Sequence, residues 1–321
     1  MSKITVVGCG GMGTNIALRF MDKKEKGFAE FDVKLVDTSK SNTKDLHIPE
    51  DRFYQYREMD GSGKVRGANH PEIQARAKEV VQWLKPGPIN LFITSASGGS
   101  GNVIAWTLLE EVLKRDGLAV VACVGSSDSR IETQNTINAL KSFESTSLRT
   151  GKPILMLYAE NSTERSRGEV NHFIESNIVL FSLFFSGMNK ELDMSDLKNF
   201  IHYDRVTRFS PKLTMMDFFS QDIHVEKDQA LVSAVTLTDE HTSSTLAYPI
   251  EYQAVGFIPE DVKNNIKVAL PIHMVSVANF FNPVIERLQK KLENFDEVKE
   301  AVVEKPILSK EEANSNGGIF L

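Results

Sequence analysis

Gly8, Gly10 and Gly13 are spaced G-x-G-x-x-G, and a second glycine-rich run, Ser97-Gly98-Gly99-Ser100-Gly101-Asn102, follows later in the chain. Glycine lets a backbone take positive φ and approach a ligand closely. A helix that begins there offers free N–H groups and about half a positive charge, which is the chemistry of a phosphate site. Asp37 stands where a dinucleotide fold carries its ribose-binding acid. The first loop alone fits NAD and a nucleoside triphosphate equally. NAD needs only one such loop, whereas a triphosphate, with more charge to hold, gains from two. Neither Gly63-Lys64 nor Gly151-Lys152 is followed by Ser or Thr, which excludes the usual P-loop. A third feature is the pair Asp193 and Asp196, at i and i+3. Such a pair either polarises a water or serves as the N-cap and first-turn acid of a helix.

The elements that must position these groups follow from periodicity. Residues 4–7 predict a strand, 14–21 a helix and 33–36 a second strand ending at Asp37. The polar stretch 38–64 has no strong period and predicts a long surface excursion, with a loop over 61–71. Residues 73–84 and 103–114 predict helices, and 89–94, 118–124 and 154–158 predict strands. Strands alternating with helices argue for a parallel sheet covered on both faces, with the ligand beyond the carboxyl ends of its strands. Residues 170–188 leave almost no polar face, so this helix must be buried on nearly every side. Beyond it, 231–237, 252–258 and 266–272 predict strands of a second layer. Residues 275–302 then predict a long amphipathic helix stepped by Pro283. The expected fold class is α/β: a parallel-sheet nucleotide-binding domain (1–168), a central buried helix (169–190), a second α+β domain with the long helix (191–304) and a flexible tail (305–321).

Composition narrows the function. At roughly 150 residues per domain, 321 residues suggest two domains or one with a large appendage. Lys and Arg number 37 against 43 Asp and Glu, a net charge of −6, so no basic field exists to hold nucleic acid. The only cysteines, Cys9 and Cys123, lie in apolar runs and cannot build a disulfide framework or a metal cluster. No apolar stretch has the length of a membrane span and the start lacks the form of a signal peptide, so a cytoplasmic protein is expected. Trp83, Trp106 and His172 read as structural.

Read in order, the motifs resemble those of the tubulin and FtsZ superfamily, and within it the tubulin-like filament proteins of large bacteriophages. The run Gly8 to Asn15, with Gly10, Gly11, Met12 and Asn15, looks like that family's first nucleotide loop. Gly67-Ala68-Asn69-His70-Pro71-Glu72 resembles the FtsZ loop that contacts the γ-phosphate. Gly98-Gly99-Ser100-Gly101 matches the core of the signature G-G-G-[ST]-G-[ST]-G, departing from it at Ser97, Asn102 and Val103. Asn171-His172-Phe173 is similar to the start of the tubulin core helix, where the asparagine reads guanine. Asn161 falls where tubulins carry a second base-reading asparagine. Arg167 takes the place of a base-stacking aromatic, and Glu132 to Asn135 lies where the family contacts the ribose. Leu192 to Leu197 resembles the catalytic loop of phage tubulins, with Glu191 where FtsZ has asparagine.

The resemblance covers roughly residues 4 to 200 and implies a GTP-binding, GTP-hydrolysing protein that assembles head to tail into cytoskeletal filaments positioning phage material in the host bacterial cytoplasm. The helix from Asn171 separates the base-reading and acidic ends by about 25 Å. Asp193 and Asp196 would therefore act on the nucleotide of the next subunit. Mg²⁺ is expected as counter-ion because no loop lysine neutralises the triphosphate, and no protein side chain is assigned as its ligand. The expected partner is the chain itself, without nucleic acid or membrane, and the tail 317–321 would dock on the neighbour through Ile319, Phe320 and Leu321. Two alternatives remain: an NAD-dependent oxidoreductase, and a nucleotide-binding regulator that does not assemble.

Overall fold

The first strand already dictates the layers. β1 (Lys3–Cys9) sends Ile4 and Val6 into one core and Val7 and Cys9 into another, so it must be covered on both faces. The computed structural model describes residues 3–301 apart from 25, 42, 57–58, 221–224, 243–245, 247 and 267. Its further strands are β2 (Glu30–Asp37), β3 (Phe53–Gln55), β4 (Ile89–Ser95), β5 (Ala119–Ser126), β6 (Ile154–Asn161), β7 (Leu213–Phe219), β8 (Ala230–Thr238), β9 (Tyr252–Phe257) and β10 (Ile272–Ala278). They form one ten-stranded sheet in the order β3-β2-β1-β4-β5-β6-β7-β10-β8-β9. Every strand but β10 runs the same way; β10 is antiparallel to both β7 and β8.

One face carries α1 (Gly10–Ala17), α5 (Arg167–Phe184), α6 (Met194–Ile201) and α7 (Glu260–Ile266). The other carries α2 (His70–Leu84), α3 (Ser100–Leu113), α4 (Arg130–Thr150) and α8 (Phe281–Ala301). Polar ties hold α8 down: Arg287 to Glu160 at 2.7 Å, Arg130 to Asp296 at 2.6 Å, and Lys291 Nζ to Ser127 Oγ at 3.0 Å. Because β1 lies between β2 and β4, the order of the chain reverses there. The helices that follow β1 and β4, α1 and α3, leave on opposite faces, and a crevice opens at this point, the usual ligand position in such sheets.

The α/β class agrees with the expectation, and several elements do not. The late strands extend the first sheet instead of making a second layer, because β7, unforeseen in the sequence, bridges β6 to β10. The expected strand 266–272 is the end of α7 and a connection; β10 begins only at Ile272. The long helix starts at Phe281, not 275, and Pro283 stands in its first turn, where the ring replaces an N–H that needs no helical partner. Within the expected excursion 38–64, β3 pairs with β2 and Tyr56 is fully buried. Trp83 and Trp106 are only partly buried against the core, and His172 is exposed. Both cysteines are buried and free. Among the described residues no helix is long and apolar enough to cross a membrane. The tail 305–321, with the docking expected of 317–321, lies outside the described residues.

Candidate functional site

A cleft of about 570 Å³ opens at the reversal point between β1 and β4. Helices α1 and α3 begin on its wall, and neither has a side-chain N-cap or an acid in its first turn. By contrast α4, α5 and α6 are capped by Ser129, Ser166 and Asp193, each with a first-turn acid. α1 and α3 thus bring donor ends to the cleft with no anion of their own.

Glycine is required where the two loops meet. Gly10 has φ +69°, and a Cβ there would lie 2.6 Å from Gly101 Cα; one on Gly101 would lie 2.8 Å from Cys9 O. Backbone packs on backbone, so both loops address the same space. Asn102, which departs from the family signature, is buried beneath the second loop. Its Nδ2 donates to the carbonyls of Ala96 (3.1 Å) and Gly98 (2.6 Å), and its Oδ1 accepts from Arg66 Nε (2.8 Å).

A strap, residues 60–64, closes over the second loop; a Cβ on Gly99 would meet Ser62 Oγ at 1.8 Å. Asn135 Nδ2 fixes it by donating to the carbonyls of Lys64 (2.8 Å) and Ser97 (3.1 Å). Arg66 anchors its far end, donating to Asn102 and, at 3.0 Å, to Ser142 Oγ; burial lowers the guanidinium pKa to about 10. Lys64 brings an ammonium into the cleft wall, 2.6 Å from Glu132 Oε1. This overturns the premise that no loop lysine is present for the triphosphate. Burial alone would push the Glu132 carboxyl up, but the Lys64 ammonium and the Ser129 hydroxyl bring it below its ordinary value. Asp37 also lines the wall. Burial raises its carboxyl although Thr38 and Ser39 donate backbone N–H groups to it.

At the far end of the cleft stand Asn161, Arg167 and Asn171. Asn161 Oδ1 is buried without a hydrogen-bond partner among the described atoms, an acceptor waiting for a donor. Of the residues singled out in the sequence, Gly10, Gly11, Met12, Gly98, Gly99, Ser100, Gly101, Glu132, Asn161, Arg167 and Asn171 line the cleft together. Asn15 is exposed on α1 and does not. Gly67 and Ala68 are also exposed, and Asn69 braces the wall from behind, its Nδ2 donating to Ser100 Oγ and the Asp60 carbonyl, both at 3.0 Å. Sequence reasoning missed the strap and Lys64; the Gly61-Ser62-Gly63-Lys64 run was their signal.

Asp193 and Asp196 are not in this cleft. Asp193 Oδ1 accepts the N–H groups of Ser195 (2.6 Å) and Asp196 (3.1 Å), and Asp196 Oδ2 accepts that of Asp193 (3.1 Å), a complete capping box on α6. They follow the far end of α5, whose first residue, Arg167, lines the cleft. Its run to Phe184 spans about 25 Å at 1.5 Å per residue.

No family model matches the chain. Over 219 residues it is 29% identical to a phage tubulin-like protein of Pseudomonas phage phiKZ, the match covering 64% of this chain and 65% of that one. Its structure superimposes on the phage tubulin PhuZ solved with GDP (TM-score 0.86, 18% identity, 99% of each chain). It does so equally on a protofilament of TubZ from bacteriophage PhiKZ (TM-score 0.84, 20% identity, 99% of each chain). By sequence the chain is a homologue of the phage tubulin-like proteins, and by structure it has the tubulin/FtsZ-like fold.

Proposed function

We propose that the chain is a GTPase that assembles head to tail into filaments, each subunit holding GTP in its cleft and offering Asp193 and Asp196 to the nucleotide of the next. The observation that carries this reading is the contrast in helix ends: α1 and α3 bring uncapped N-termini to one crevice, while Asp193 and Asp196 sit beyond the far end of α5. A triphosphate laid between the two glycine loops meets two helix N-termini and Lys64. Guanine suits the other end, because its N1–H and amino group are donors for the unpartnered Asn161 Oδ1, while the Asn171 amide has a donor for O6. Arg167 presents a planar guanidinium able to stack on the base. Glu132 lies beside Lys64 on the wall between, in reach of a ribose.

Among the described residues no three His, Cys, Asp or Glu gather around a point that could hold a metal. Mg²⁺ would then take its ligands from phosphate oxygens and water, with the hard oxygens of Asp37 and Asp60 lining the same cleft. Bound there, it neutralises charge on the triphosphate. The chain's own part is to hold the phosphates on backbone N–H groups and, across the subunit boundary, to polarise the attacking water with a carboxylate. The filament and GDP named for the structural neighbours support this reading, and they give the dinucleotide alternative no support.

Sedimentation tests it. Protein with GTP and Mg²⁺ should pellet as filaments, whereas protein with ATP, with NAD or without nucleotide should stay in the supernatant. Pelleting equally well with ATP would remove the role given to Asn161 and Asn171.

A further inference from the structure

The edge strand β9 touches the acidic loop at three points. At one end, Lys190 N–H donates to the Phe257 carbonyl at 2.8 Å and Phe257 N–H donates back to Lys190 at 2.9 Å. Next to it, Gly256 lets the loop lie directly on the strand, since a Cβ there would be 2.7 Å from both Asn189 Oδ1 and Leu192 Cβ. Glu191, in between, has φ +74°, a conformation a non-glycine residue keeps only when its surroundings hold it. At the other end the Tyr252 hydroxyl donates to Asp196 Oδ1 at 2.9 Å.

Tyr252 is itself fixed. The Glu251 carboxylate before it accepts the Arg208 backbone N–H at 2.6 Å and Nε at 2.8 Å, and Asn199 Nδ2 lies 3.5 Å from the phenol oxygen. The phenol is a protonated donor at neutral pH, and partial burial, with the hydrogen bond to Asp196 and against the contact from Asn199, moves its pKa further up. With Oδ2 taken by the Asp193 N–H and Oδ1 by Tyr252, the Asp196 carboxylate has one orientation before any neighbour arrives. A half-buried aspartate without the phenol has several staggered rotamers to choose from.

We propose that Tyr252 is a positioning residue for hydrolysis: its hydroxyl presets the Asp196 carboxylate, so that docking of the next subunit completes the site without reorganisation. This rests on the shared-site reading above, and it assigns to β9 the task of aiming chemistry performed on another chain's nucleotide. A positioned group loses efficiency steeply when its supports are removed.

The test is Tyr252→Phe, which keeps the ring and removes only the hydroxyl, measured as GTP turnover per pelleted subunit. Turnover should fall about 10-fold, the scale of one hydrogen bond to a charged group, while GTP affinity of the unassembled subunit stays unchanged. In an Asp196→Ala background the same substitution should have no further effect, because the group it aims is gone. Wild-type turnover that is flat with protein concentration would overturn the shared-site reading itself. Concentration-dependent wild-type turnover, with full activity in Tyr252→Phe or an additive loss in the double variant, would overturn the positioning role alone. So would a Tyr252→Phe chain that fails to enter filaments even when mixed with wild-type subunits, since the hydroxyl would then be structural.

Discussion

At the residue scale, Lys64 and Glu132 set the charge of the cleft wall. Burial favours the neutral acid, yet the ammonium 2.6 Å away wins and the folded carboxyl titrates below its ordinary 4.5. A group lowered on folding contributes stability that is fully present above its unfolded value and lost as pH falls through the folded one. Half of the Lys64 side chain is exposed, so about 1 kcal/mol or less is at stake. Lys64→Met should therefore lower Tm slightly at about pH 7, and the gap to wild type should close as pH falls below the ordinary glutamate range. A gap that persists in acid would trace the loss to packing of the strap instead. The acids of the loop allow a cleaner separation of structure from chemistry. Asparagine caps a helix as well as aspartate does, so Asp193→Asn should leave α6 folded and GTP binding intact. Turnover in filaments should nevertheless fall roughly 100-fold, the scale of losing a positioned base. Loss of GTP binding in that variant would contradict the separation of the two ends of α5.

At the element scale, the positions forced by backbone geometry were legible and those set by long-range contacts were not. Gly10 and Gly101 are glycines because no Cβ fits between the loops, and their spacing announces it. Gly10→Ala should cost at least about 1–2 kcal/mol for the left-handed backbone, seen in denaturant unfolding, and weaken nucleotide binding as well. The strap was missed because what holds it, Asn135 and Ser142 on α4 and Asn102 on α3, lies far along the chain. The expected strand 266–272 starts ahead of β10, and the expected helix takes in 275–278, because a short apolar run such as 272–278 has no period of its own. β3, three residues long, is too short to show alternation. Helix α6 ends in a device that no pattern marks. His202 is buried with both ring nitrogens unpartnered among the described residues, and burial, aided by Arg205 and Lys152, holds its pKa at about 4 against 6.5. Unfolding lets it take a proton, so stability is full above 6.5 and falls as pH drops towards 4, by at most about 3 kcal/mol. His202→Gln should flatten the decline of Tm between these two values; an unchanged slope would mean that other groups set it.

At the scale of the whole molecule, a single sheet carries both the cleft between β1 and β4 and, at its β9 edge, the strand that holds the acidic loop. Helix α5 links them, its first residue in the cleft and its end short of Asp193. On the shared-site proposal, the length of α5, about 25 Å, keeps Asp193 and Asp196 away from the cleft of their own chain, and two copies in series complete one site. The most direct test is GTP turnover per molecule as a function of protein concentration, followed across the threshold at which filaments pellet. The account predicts negligible turnover below the threshold and a steep rise above it. A specific activity that is constant through the threshold would contradict it.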